Sequence, residues 1–421
     1  MKFDTVIIGG GLAGMTCGIR LAEAGRRCAI VSQGQSAIHF SSGSFDLLGR
    51  LPDGTAVTDP VAGIAALEKD APEHPYAVIG ARACEKYAQE APRLLREAGI
   101  PVSGDCRANH FRITPMGKAV PTWLTIDGYL TAGQPGALPF RKVCIVNVEG
   151  FLDFYPEFIA EEFRKAGVTC RFGSFNHPDL ENIRRNPSEM RSANIARVFD
   201  HEKNLEALAA SICEAAADSE AVILPAIIGI NRNDALEILK QKVAKPLYLL
   251  PTLPPSIPGI KAQQLLQRRF RALGGEYFLG DTVLPAETEN GHVRCVRTAN
   301  HGNIPFEARD FVLATGSFFS RGLIASPDRI LEPVFGADTL HAPSRAEWYT
   351  QRFFDRQNYQ AFGIRTDRSL RVVKEGVPVD NLYCAGAGLA GFHPVQDGCG
   401  AGVSLLSALH VADRILNSKQ S

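Results

Sequence analysis

The chain has 421 residues, 45% hydrophobic and 21% charged, which is enough apolar material for a substantial core and for two domains. Its 45 Lys plus Arg balance 45 Asp plus Glu, so no global field draws it onto nucleic acid or an anionic bilayer. No apolar run approaches the ~20 residues of a membrane span, and ten scattered cysteines without a Cys-x-x-Cys pair read as reduced intracellular thiols that hold neither a metal nor an iron–sulfur cluster.

Phe3 to Ile8 enters a strand at once, leaving no room for a signal peptide, and its unbroken apolar character suits a central parallel strand. Gly9, Gly11 and Gly14 follow in the G-x-G-x-x-G spacing, then a helical pattern through Gly18, Leu21 and Ala24 and a second strand at Cys28 to Val31. In that setting the glycines predict a dinucleotide site. Gly9 allows a tight turn, Gly11 lets the backbone approach a pyrophosphate, and Gly14 lets the helix pack closely on the strand, with the phosphate met by free N–H groups at the helix N-terminus. Such sites usually place Asp or Glu at the end of the second strand for the adenosine ribose. Here Ser32 and Gln33 stand there, and the segment through Ser36 is neutral. Either hydroxyl and amide groups hold an adenosine, or the ligand is a mononucleotide such as FMN, or the strand end simply tolerates neutral residues. Just beyond, Ser41, Ser42 and Gly43 suit a chain passing close to an isoalloxazine ring, and equally a polar turn.

Residues 105–259 carry their own signals: strands at Val143 to Val148 and Ala221 to Leu224, and a helix from Pro156 to Ala166. They predict an inserted cap or partner-facing domain, set between the two halves, 1–104 and 260–421, of a discontinuous flavin-binding domain. Arg191 and Arg197 could clamp a phosphate or be solvated at the surface. Pro251 to Gly259 is too rich in proline for a helix or central strand, and reads as a rigid loop that crosses between domains or covers the flavin edge. A helix from Ile260 to Leu273 then stops at Gly274-Gly275. Alternation at Thr282 to Glu287 and His292 to Thr298 around Glu289-Asn290-Gly291 predicts a hairpin or meander. The strand from Asp310 ends in Ala314-Thr315-Gly316, small residues beside which a nucleotide fits. The last strand, Asn381 to Cys384, runs into Gly386 and Ala387, then a glycine-rich loop and a long helix opening near Ala401. Gly398, Gly400 and Gly402 leave that helix end bare, so its N–H groups can face an electron-rich ring.

The string Gly-Gly-Gly-Leu-Ala-Gly from Gly9, Gly274-Gly275-Glu276 before the meander, Ala314-Thr315-Gly316, and Asn-Leu-Tyr-Cys-Ala-Gly from Asn381 resembles the two-dinucleotide-binding-domain flavoproteins. The resemblance implies an α/β fold of the Rossmann-like FAD/NAD(P)-binding kind, as in glutathione reductase and succinate dehydrogenase flavoproteins, with an inserted cap domain. His39 to Ser44, Thr122-Trp123-Leu124, Ala193 to Arg197, Leu249 to Ser256 and Ala314 to Ser320 are further similar to the anaerobic glycerol-3-phosphate dehydrogenase B-subunit family. That resemblance implies FMN as cofactor, with FAD as the alternative. It also implies an FAD-containing dehydrogenase partner, an iron–sulfur, membrane-anchoring partner, and a place on the cytoplasmic side of the inner membrane reached through those two. The complex would oxidise sn-glycerol 3-phosphate to dihydroxyacetone phosphate and send electrons towards quinone.

Taking the hydroxyl proton of an alcohol needs a base. His39 and His393 flank the expected flavin pocket and are the candidates for a catalytic role; no arginine stands in the loop Pro394-Val395-Gln396-Asp397. Two alternatives stay open: a self-sufficient flavin dehydrogenase of another small substrate, and a structural subunit without cofactor.

Overall fold

The computed structural model describes residues 1–418. Strand β1 (Lys2–Ile8), helix α1 (Leu12–Glu23) and strand β2 (Cys28–Ser32) form the expected first βαβ unit. β1 and β2 are parallel, and four of the five central residues of β1 are fully or nearly fully buried, as a strand covered on both faces requires. The main sheet runs in the order Glu276–Leu279, β2, β1, Phe306–Leu313, Val377–Cys384, Arg371–Lys374. All but the last are parallel, so strands from both ends of the sequence finish at one edge, where open α/β sheets bind their ligands.

A second sheet, ordered Thr169–Phe175, Lys142–Val148, Ala221–Pro225, Leu247–Leu250, is wholly parallel. It has its own apolar core, built on Val143, Ile145, Phe163, Phe199 and Ile223 and separate from the core around Ile7, Phe270, Phe311 and Leu406. The two are interleaved: Leu124–Ile126 pairs with Ser44–Phe45 and Val102–Ser103, so Trp123 and Leu124 sit in the first core although they lie beyond residue 105.

Two elements differ from expectation. The helix expected from Ile260 begins at Ile257, inside the proline-rich segment, because Pro258 occupies the first turn, where a missing N–H costs nothing. Ser256 caps it, its Oγ accepting the Gly259 N–H at 3.2 Å. The expected hairpin shrinks to a two-residue strand, Cys295–Val296, with single bridges at Val283–Thr298 and Glu289–His292; the alternation is there, but the strand's ladder runs to Phe306–Glu307 instead.

Candidate cofactor site

Gly9 ends β1 with φ +116°, and a Cβ there would collide with the Ala314 carbonyl. A Cβ on Gly14 would meet the Gly9 carbonyl, so these two glycines let β1, α1 and the strand Phe306–Leu313 close on one another. Gly11 differs: a Cβ there would come no nearer than 3.6 Å to anything, at Ser36. It precedes α1 without a side-chain cap and with no acidic residue in the first turn. Space and uncommitted helix N–H groups therefore coincide, which is the donor set an anionic phosphate takes.

Across the edge, Ala314 continues the ladder through its N–H to the Ile8 carbonyl (2.8 Å), and Gly316 turns away over Ser320. Thr315 Oγ1 is buried without a partner among the described residues. Gly386 lies against Ala13 of α1, where a Cβ would be 2.7 Å from the Ala13 Cβ, and its N–H donates to Ser407 Oγ at 2.9 Å. Ala387 beside it is half-buried. The first glycine turn and the final helix (Gly400–Asn417) thus converge, as the sequence leads one to expect. In the first turn of that helix the Val403 N–H donates to Cys399, and the Gly402 N–H to Asp46 at 2.7 Å. Gly402 is therefore corrected from a cofactor contact to a packing position: it is buried, and its missing side chain makes room for Tyr76 Oη and Leu47. Gly400 and Ala401 remain as the available amides, following Gly398, which turns at φ +58° beside Gly49.

At the adenosine end, Ser32 is buried and its Oγ donates to the Gly34 carbonyl at 2.9 Å. Gln33 is exposed, and its amide makes no bond among the described residues. A group the sequence reading missed stands beside them: Tyr277 Oη sits against Gly10 and Ser32, buried and without a hydrogen-bond partner among the described residues, near Gln263, whose Oε1 accepts from Ser36 Oγ at 2.9 Å. Tyr277 is reached only through the pairing of Glu276–Leu279 with β2. These orphaned atoms, Tyr277 Oη and Thr315 Oγ1, together with the open ground at Gly11, fit a nucleotide-type cofactor.

The Ser41-Ser42-Gly43 segment is fixed from two sides. Gly43 donates its N–H to Ser41 Oγ (3.2 Å), accepts the Ile126 N–H (2.8 Å), and packs on the Tyr129 ring; Ser42 and Ser44 hydroxyls lie 3.0 Å apart. The proline-rich segment clamps it: Ser256 N–H donates to the His39 carbonyl (2.9 Å), and Ser256 Oγ bonds the Ser41 carbonyl. That segment is thus both crossover and clamp. Arg191 and Arg197 do not converge on a phosphate: Arg191 pairs with the buried Asp153, and Arg197 with Asn194 at 2.9 Å.

Burial lowers the His39 pKa, and burial followed by the Arg356 charge brings His393 down to about 4, against the opposing pull of Asp397. An arginine does therefore reach the loop, not from within it but from Arg356, whose Nη1 lies 2.8 Å from Asp397 Oδ1. His74, Asp397 and Cys399 bring ligand-type atoms within 4.8 Å of one another. The trio is a poor metal centre. His74 Nδ1 accepts the Tyr76 N–H at 3.1 Å, which puts the ring proton on Nε2, the nitrogen a metal needs bare, and Asp397 is already paired.

Comparison with known proteins finds relatives along nearly the whole chain. The FAD binding domain family matches residues 4–403. The anaerobic glycerol-3-phosphate dehydrogenase B subunit of Yersinia pestis bv. Antiqua (strain Antiqua) is 46% identical over 418 residues, covering 99% of each chain. The protein of the same name from Actinobacillus pleuropneumoniae serotype 5b (strain L20) is 40% identical over 428 residues, covering 100% of both. Among solved structures, 3-ketosteroid delta1-dehydrogenase from Sterolibacterium denitrificans is similar at TM-score 0.47 and 12% identity, over 99% of this chain and 100% of that one.

Proposed function

Because the chain belongs to the FAD-binding-domain family and, within it, to the anaerobic glycerol-3-phosphate dehydrogenase B-subunit family, we propose that it is a flavoprotein subunit of a quinone-linked glycerol-3-phosphate dehydrogenase. The observation that carries the proposal is the approach of the first turn of α1 to the opening turns of the final helix about Gly386, which lies against Ala13 and near Ser404, in a chain related end to end to that family. A bound flavin supplies the chemistry that accepts electrons in pairs and releases them singly.

The residues proposed to hold it are Gly9, Gly11 and Gly14 at the phosphate, Ser32 and Tyr277 beyond it, Ala314, Thr315 and Gly316 along the edge, and Ser41, Ser42, Gly43, Gly386, Ala387, Gly398, Gly400 and Ala401 around the ring. We propose FMN, supported by the neutral strand end at Ser32 and by the Tyr277 hydroxyl standing where the fold meets an adenosine ribose. FAD is the second reading, supported by the family match and by a complete pyrophosphate cradle. The mass of the acid-released chromophore decides between them.

His39 and His393 make weak bases at neutral pH because burial disfavours their protonated forms, and a general base works best with a pKa near the working pH. This supports placing the oxidation of sn-glycerol 3-phosphate on an FAD-containing partner dehydrogenase, with electrons then passing through this chain to an iron–sulfur, membrane-anchoring partner. Among the described residues no helix is long and apolar enough to cross a membrane, so attachment to the cytoplasmic face is proposed to run through that partner, with residues 105–259 as a cap or docking unit. Anaerobic addition of sn-glycerol 3-phosphate tests the assignment: the isolated, flavin-loaded chain should keep its visible absorbance and lose it only when the partner dehydrogenase is added. Bleaching of the chain alone would instead make it a self-sufficient dehydrogenase.

A further inference from the structure

Beside the amino end of the final helix lies a buried polar cluster that holding a ligand does not by itself explain. The Asp397 side chain is 2% exposed. Its Oδ1 accepts from Arg356 Nη1 at 2.8 Å, and its Oδ2 accepts from Arg356 Nη2 at 3.4 Å and from the His393 N–H at 3.2 Å. Its main chain is equally committed, donating to the His393 carbonyl (2.9 Å) and accepting from Gly49 (2.8 Å) and Arg50 (3.0 Å). The His393 ring is buried, and its Nδ1 has no partner among the described residues. Arg356 arrives from 41 residues upstream, in a segment that otherwise faces outward at Phe353 and Phe354.

We propose that Arg356 is a positioning residue: by holding the Asp397 carboxylate it seats the loop before the final helix and keeps His393 there as a neutral polar group. The use of that group rests on the flavin reading above; the geometry does not. The charged and titratable groups acting on His393 are Asp397 on its own loop, Arg356 from upstream and His74 at the cap of the short helix Pro75–Ile79; His74 in turn lies against the Tyr76 ring and Cys399 Sγ. Among the groups acting on His393, Arg356 opposes a proton on the imidazole and Asp397 favours one. Removing the guanidinium takes away the opposing charge and leaves the buried carboxylate unbalanced, so both changes favour protonation. A protonated ring would also put a positive charge beside the positive end of the helix dipole. A neutral imidazole keeps one donor and one acceptor nitrogen, and with Nδ1 unpartnered one of them is free for a ligand.

The test is an NMR titration of the full chain with isotope-labelled histidine, the His393 signal being assigned with His393→Gln. In the wild type the His393 signal should not titrate down to about pH 5. In Arg356→Gln its midpoint should rise by about one pH unit or more, and Arg356→Lys should bring it back down. A wild-type midpoint near the ordinary ~6.5, or an unmoved midpoint in Arg356→Gln, overturns the proposal. If Arg356→Gln does not fold, the double variant Arg356→Gln/Asp397→Asn, which leaves no unbalanced buried charge, decides: its His393 midpoint should still lie above wild type, because Arg356 opposes a proton on the ring more than Asp397 favours one, and an unmoved midpoint sinks the proposal. The titration needs no flavin, so a colourless protein would defeat the functional reading while leaving this result standing.

Discussion

Gly9 and Gly14 differ from Gly11 in what an added methyl group would meet. Gly9 combines a left-handed φ with contact on the Ala314 carbonyl, so Gly9→Ala should destabilise the fold by about 3 kcal/mol, the sum of backbone strain and overpacking. Gly11→Ala meets only Ser36 at 3.6 Å and should leave the unfolding midpoint nearly unchanged while lowering flavin content. Thermal unfolding and flavin content, measured on both variants, separate structure from ligand contact. Spacing alone made this trio legible, because each glycine serves contacts within its own βαβ unit or the neighbouring strand. It could not reveal that Gly402 faces Tyr76 and Leu47, since a glycine says that a side chain is missing and not what fills the gap. Arg356 was equally hidden: nothing in a segment without periodicity marks which arginine will turn inward to Asp397.

Among the elements, the helix Ile257–Ala272 ties the two halves together. Ser256 caps it and also bonds the Ser41 carbonyl, so one hydroxyl fixes a helix start and the segment proposed to pass the flavin. Ser256→Ala should cost about 1–2 kcal/mol in urea unfolding and speed amide exchange across residues 38–41; unchanged exchange there would show that the clamp is not needed. The buried parallel strands were readable because their apolar runs are unbroken and end in small residues. The start of this helix was not, because Pro258 reads as a breaker although proline fits a first turn. The hairpin at 282–298 was overread for the opposite reason: alternation promises a strand only where a partner edge is free, and Phe306–Leu313 offers one for two residues.

At the scale of the whole molecule, two cores share one chain, and several histidines are buried uncharged in the first. His74 is pushed down to about 3 and His393 and His410 to about 4, in each case chiefly by burial. A folded pKa below the unfolded ~6.5 means that the unfolded chain binds more protons between those values. Their stabilising contribution is therefore complete above about pH 6.5 and declines as pH falls towards 4, with a slope of up to ~1.4 kcal/mol per pH unit for each histidine. Asp46 and Glu332, raised by burial, act in the opposite sense and offset part of the loss at the acid end. Denaturant titrations across this range should show that decline; a flat profile would mean that the histidines are not held neutral.

The convergence of the first glycine turn with the final helix is tested most directly by the visible spectrum of the purified full-length chain, with its acid-released flavin quantified. Stoichiometric flavin, sharply reduced in Gly11→Ala, is the predicted result. A colourless chain that takes up neither FMN nor FAD when either is supplied would contradict it.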